Sequence, residues 1–93
     1  MADIAEVHVI VSGRVQGVCF RAATQEAAWK AGVRGWVRNL PGRQVEAVLQ
    51  GERTAVEKVL EFLRAGPPRA NVTDVALSWR EPGETYHGFD VRY

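Results

Sequence analysis

An α+β sandwich, with two helices packed on one face of a mainly antiparallel sheet, is the fold class that this 93-residue sequence predicts. Three observations predict it. Segments of two-residue and of helical hydrophobic period follow one another in the order β-α-β-β-α-β, with a short final strand. Each helical segment carries a single apolar stripe, which needs one covering surface, and a sheet face supplies it. The length suits one compact domain over residues 1–93, with no room for a second folded unit. This order is a split β-α-β arrangement, the ferredoxin-like class.

Over residues 6–12, Val7, Val9 and Val11 alternate with His8, Ile10 and Ser12, the pattern of a strand that stops at Gly13. The first helix starts near Phe20, with Phe20, Ala23, Thr24, Ala27 and Ala31 on one stripe, and Gly32 supplies a left-handed stop. Arg21 then lies in that helix's first turn. Residues 36–39 and 45–50 read as two strands joined by a hairpin through 40–44, which puts Asn39 at a strand end beside a turn. The second helix is expected over residues 55–64. Thr54 and Glu57 form a candidate capping box there, Val56, Val59, Leu60 and Leu63 make the stripe, and Gly66-Pro67-Pro68 ends it. The last strands are read at 72–80, with Val75, Leu77 and Trp79 facing one way, and at 89–93, where Phe89, Val91 and Tyr93 alternate. Between them, residues 81–84 are a turn or mobile loop. Trp36, Trp79, Phe89 and Tyr93 are expected to fill the sheet–helix core or its edge, and Trp29, opposite the first helix's stripe, to be partly exposed.

Composition narrows the function classes. Apolar residues make up 46% and charged residues 25%, as in a soluble globular domain. A net charge of +1 argues against a broad nonspecific nucleic-acid surface, so any anion selectivity is local. The single cysteine, Cys19, excludes an internal disulfide and every multi-cysteine metal site. His8 and His87 have no ligand-like spacing, so no metal and no cofactor are expected, and His8 reads as a satisfied or exposed histidine. The opening Met1-Ala2-Asp3-Ile4-Ala5-Glu6 lacks the apolar run of a targeting signal, and no window approaches the roughly 20 apolar residues of a membrane span. A cytoplasmic location without membrane association is the expectation. A single-stranded RNA-binding module shares this architecture, yet it needs aromatic stacking positions that the first and third strands do not offer.

The most informative stretch is Gly13-Arg14-Val15-Gln16-Gly17-Val18-Cys19-Phe20-Arg21, between the first strand and the first helix. Two glycines let the backbone curl so that successive N–H groups point at one spot. The helix's first turn adds more free N–H groups at its positive dipole end, and Arg21 supplies a planar fork that matches phosphate oxygens. The stretch has the layout of an anion cradle.

The same run closely resembles the active-site loop of acylphosphatases, G-R-V-Q-G-V-x-F-R, and Gly35-Trp36-Val37-Arg38-Asn39-Leu40-Pro41 resembles that family's second motif. Gly66-Pro67-Pro68 and the closing Gly88-Phe89-Asp90-Val91-Arg92-Tyr93 also fall where the family ends its second helix and its last strand. The resemblance implies hydrolysis of the mixed anhydride between a carboxylic acid and phosphate, with Arg21 and Asn39 as the catalytic side chains. It implies a small acyl phosphate as substrate and inorganic phosphate as product and inhibitor; independently of it, a monomer is the default expectation. The backbone N–H groups of Val15, Gln16, Gly17, Val18, Cys19 and Phe20, with Arg21, are expected to hold the phosphoryl oxygens, while the Asn39 carbonyl aims a water at phosphorus. A carboxylate leaves without a proton, so no general acid is called for. Two departures stand out. Gly42-Arg43 replaces the family's usual Asp/Asn-Gly, which shifts the positive-φ position of the turn, and Cys19 occupies a position that is usually small or aromatic. As in some relatives, the terminal carboxylate of Tyr93 is expected to pair with Arg21. A phosphate- or carbamoyl phosphate-binding regulatory module without turnover of its own remains the alternative.

Overall fold

The computed structural model describes residues 3–93. Met1 and Ala2, which open the segment read as free of a targeting signal, lie outside the described residues. The elements follow the expected order: β1 (Ile4–Arg14), α1 (Phe20–Ala31), β2 (Arg34–Leu40), β3 (Gln44–Glu52), α2 (Arg53–Ala65), β4 (Asn71–Arg80) and β5 (Phe89–Arg92). One sheet runs β4-β1-β3-β2-β5, antiparallel at each pair except β2 with β5, which are parallel. Both helices cover one face of it, giving the expected ferredoxin-like α+β arrangement. Among the described residues, no helix is long and apolar enough to cross a membrane.

Strand alternation builds the core. Val7, Val9 and Val11 of β1 stand opposite Leu49, Ala47 and Val45 of β3, and all six are buried on the helix side. Val56, Val59, Leu60 and Leu63 of α2 close over them. In α1 the buried residues are Phe20, Thr24 and Ala28, while Ala23 and Ala27 are only half-buried, so the stripe is rotated by about a residue from the expected one. Ala27 and Ala28 are equally apolar, so periodicity could not choose between them. Thr24 sits fully buried because its hydroxyl donates to the Phe20 carbonyl at 2.8 Å.

Two expectations need correction. The Thr54–Glu57 capping box does not form, because β3 runs straight into α2 with Glu52 at the N-cap and no side-chain cap. Thr54 is already inside the helix, and Glu57 instead accepts from Arg53 at 3.0 Å. Second, Trp36 and Tyr93 are not in the sheet–helix core. Trp36 lies half-buried on the open sheet face, with the Arg92 and Arg38 guanidinium groups 4.6 and 5.4 Å from its ring, and Tyr93 is fully exposed. Phe89 is buried, Trp79 is half-buried under Arg53, and Trp29 is exposed, as their positions suggested.

Residues 81–84 form a loop, as read, and the chain behind them is anchored. Buried Gln50 donates to Glu6 Oε1 at 2.9 Å and to the Glu84 carbonyl at 2.7 Å, and its Oε1 accepts the Tyr86 N–H at 3.1 Å. Glu6, also buried, accepts from Arg80 Nε at 2.5 Å. The chain from 84 to 86 is thereby fastened to the open face, and the Gly35 N–H, bonded to the Gly88 carbonyl at 2.8 Å, leads it into register beside β2.

Candidate active site

The cradle loop is fixed from below and open above. At the β1 exit, Gly13 has a φ of 123° and a Cβ there would meet the Asn71 carbonyl oxygen at 2.2 Å, so only glycine allows the ladder to shift register and release the chain. Val15, Val18 and Phe20 are then buried, while Gly17 and Cys19 stay exposed between them. Gly17 at φ 72° and Cys19 at φ 61° turn the chain twice in the left-handed region and deliver it into α1.

The N–H groups this leaves open differ slightly from expectation. Val15 N–H donates to the Gly13 carbonyl at 3.0 Å, closing a three-residue turn, so the free set starts at Gln16 rather than Val15. Among the described residues, the N–H groups of Gln16, Gly17, Val18 and Cys19 find no backbone carbonyl. Those of Phe20, Arg21 and Ala22 precede the first intrahelical bond, from Ala23 N–H to the Cys19 carbonyl at 3.0 Å. The N–H groups from Gln16 to Ala22 are therefore left without a main-chain acceptor, next to the positive end of α1.

Arg21 leans from the first turn of α1 onto the end of β5. Its Nη1 donates to the Arg92 carbonyl at 3.3 Å, and its guanidinium lies 4.6 Å from the centre of the Tyr93 ring. The expected pairing with the Tyr93 carboxylate is absent among the described residues: ring and carbonyl hold the guanidinium instead, and no acidic group neutralises it.

Asn39 arrives from the other side. Along β2, Gly35 and Val37 face the helices, so Asn39, two residues further, projects on that face just beyond the core. Leu40 pairs with Gln44 across the turn, and both Gly42 (φ 81°) and Arg43 (φ 62°) are left-handed. The altered turn thus keeps Asn39 in register opposite Val45. Its side chain has no hydrogen-bond partner among the described residues and is exposed.

Arg21, Asn39, Val15, Gly17, Cys19 and Tyr93 line one cavity of about 440 Å³, with Phe20, Ala22, Gln25 and Val91 completing it. No Asp, Glu or His side chain lines it. Among the described residues, no three His, Cys, Asp or Glu side chains come together as a metal-ligand group.

Two supports were not legible beforehand. Gln16, expected to offer its main chain to phosphate, also uses its side chain: Nε2 donates to the Leu40 carbonyl at 2.6 Å and to the Gln44 carbonyl at 2.9 Å. Gln25 fastens α1 to β5 through the Phe89 carbonyl at 2.9 Å. Under the hairpin, on the open sheet face, Glu46 binds His8 Nε2 and Arg38 Nε, each at 2.6 Å, so His8 is a satisfied histidine. Burial alone would raise the Glu46 pKa, but the hydrogen bonds and charges of His8 and Arg38 outweigh it and hold the carboxyl below its ordinary value.

Compared with known proteins, the chain matches the family model described as acylphosphatase over residues 7–91. The chain belongs to the acylphosphatase family. It is 48% identical to an acylphosphatase of Anaeromyxobacter sp. (strain Fw109-5) over 93 residues, the whole of both chains. Among solved acylphosphatases, the crystal structure from Bacillus subtilis superposes with a TM-score of 0.92 at 35% identity, covering 96% of this chain and 99% of that one. The acylphosphatase from Coxiella burnetii gives 0.90 at 40% identity, covering 97% and 94%. The match spans the cradle, the β2–β3 hairpin and most of β5, so every residue lining the cavity except Tyr93 lies within it.

Proposed function

We propose that the cavity hydrolyses the carboxyl–phosphate anhydride of acyl phosphates, releasing a carboxylate and inorganic phosphate. The observation that carries this is one cavity lined by loop residues whose amides lack a main-chain acceptor, by a guanidinium without an acidic side-chain partner and by an unpartnered carboxamide, with no Asp, Glu or His side chain among the lining residues. Such a site holds a phosphoryl group and places water, but supplies no proton to a leaving group.

The phosphoryl oxygens settle on the N–H groups from Gln16 to Ala22 and on the Arg21 fork, which stabilise the charge spread over them in the transition state. Asn39 accepts a hydrogen bond from a water through its side-chain carbonyl and aims that oxygen at phosphorus, in line with the acyl oxygen. The water oxygen bonds to phosphorus as the bond from phosphorus to the acyl oxygen breaks. The electron pair leaves with the carboxylate, and the water's proton passes to a phosphate oxygen.

On this reading the protein works as a cytoplasmic monomer without a metal, and a binding-only module is disfavoured because full-length relatives carry the enzyme's name. The test compares benzoyl phosphate with phenyl phosphate. Benzoyl phosphate is expected to be hydrolysed strongly in preference, with inhibition by phosphate and no effect of a chelator. Equal rates on both substrates, or phosphate uptake without turnover, would overturn the proposal.

A further inference from the structure

We propose that Gln16 is the residue that positions Asn39 for the reaction, by clamping the β2–β3 hairpin to the phosphate cradle. The proposal rests on the water-placing role of Asn39 given above.

Asn39 needs a support because nothing of its own holds it. Its side chain has no partner among the described residues, and it is the second-last residue of β2, where the strand opens into a turn containing two left-handed residues. A water aimed in line at phosphorus tolerates little error, since a displacement of about 1 Å costs about 10²-fold in rate. The distance between hairpin and cradle therefore has to be fixed by something that touches both.

Gln16 does so with the whole of its donor capacity. A carboxamide nitrogen carries two hydrogens about 120° apart. Here one meets the carbonyl of Leu40, next in chain to Asn39, at 2.6 Å, and the other meets the carbonyl of Gln44, Leu40's partner across the turn, at 2.9 Å. Both carbonyls flank the turn, so the clamp closes on the two hairpin arms at once. The N–H at the other end of the same residue opens the free amide run of the cradle. One residue thus spans the phosphate site and the strand that carries Asn39. A second main-chain bond, from Gly13 N–H to the Arg43 carbonyl at 3.3 Å, ties loop and turn together one step further out, so the hairpin stays docked without Gln16 but loses its fine placement.

The test is a double-mutant cycle with Gln16→Met, which keeps the side-chain length and adds no charge beside the cradle while removing both donors. With benzoyl phosphate, Gln16→Met is expected to lower kcat about 10-fold in the parent and less than about 2-fold in an Asn39→Ala background, because the clamp has nothing left to place. The inhibition constant of inorganic phosphate is expected to stay within about 2-fold of the parent, since the cradle amides are retained. Equal losses in both backgrounds, or a phosphate constant that weakens in step with kcat, would overturn the positioning role and mark Gln16 as a general support of the loop. If Gln16→Met does not fold by circular dichroism, Gln16→Ala at this half-buried position serves the same cycle. Parental kcat in Asn39→Ala alone would instead overturn the water-placing reading and the Gln16 proposal with it.

Discussion

On the proposed mechanism Arg21 and Asn39 divide the work in the cavity, and their variants should separate accordingly. Arg21→Lys keeps a cation but loses the planar fork and its stacking on Tyr93. It is expected to reduce turnover about 10²-fold and to weaken phosphate inhibition together with it. Asn39→Ala is expected to cause a comparable loss of turnover while phosphate inhibition holds, because no phosphate donor is removed. Steady-state kinetics with benzoyl phosphate, with phosphate as competing inhibitor, decide the matter: parallel loss of phosphate affinity in both variants would deny the division. That Arg21 and Asn39 would meet at one cavity was legible in the sequence because each sits in a motif several residues long, beside an element end that periodicity places well. The Gln16 clamp was not, since its acceptors lie 24 and 28 residues away and are main-chain atoms that no residue type announces. The grip on Arg21 was legible only in part. The approach of β5 was foreseen, but whether ring, carbonyl or carboxylate would meet the guanidinium depends on the direction of one terminal side chain.

At the level of elements, the hairpin that carries Asn39 is braced from behind by Glu46, and this gives the protein an acid-sensitive contribution to stability. Because folding lowers the Glu46 pKa, the carboxylate stabilises the fold fully above its ordinary value of 4.5 and loses that contribution as pH falls through the lower folded value. Glu46→Gln is therefore expected to lower stability by about 1 kcal/mol at pH 7, and by much less at pH 3. Urea unfolding at the two pH values measures it, and an equal midpoint shift at both would remove Glu46 from the account. Element types and order followed from periodicity because β1, β3 and α2 each bury a single face. Element ends were harder. Thr54 and Glu57 match the spacing of a helix start, yet the pairing of β3 with β1 continues to Glu52 and commits the chain to a helix before any capping residue is reached. In α1 the abundance of alanine blurs the stripe, and only the packed sheet decides which alanine turns inward.

Across the whole molecule, the layered architecture was readable because every long apolar pattern has one partner surface, whereas the path of residues 81–88 was not. That path depends on buried Gln50, a polar residue inside a strand whose neighbours are apolar, and its partners Glu6, Glu84 and Tyr86 are 34 or more residues away in sequence. The same long reach applies to the edge where β5 lies parallel to β2 and where the Arg92 carbonyl, 71 residues from Arg21, receives the guanidinium. Contacts of such separation are entropically costly to close and tend to form late. During renaturation from urea, secondary structure measured by far-ultraviolet dichroism should accordingly return before hydrolytic competence does. Coincident recovery of the two signals would mean that the last strand docks with the first collapse. A lag would make catalysis a stopwatch for the final stitch of the sheet, one that bulk spectroscopy of the helices cannot read.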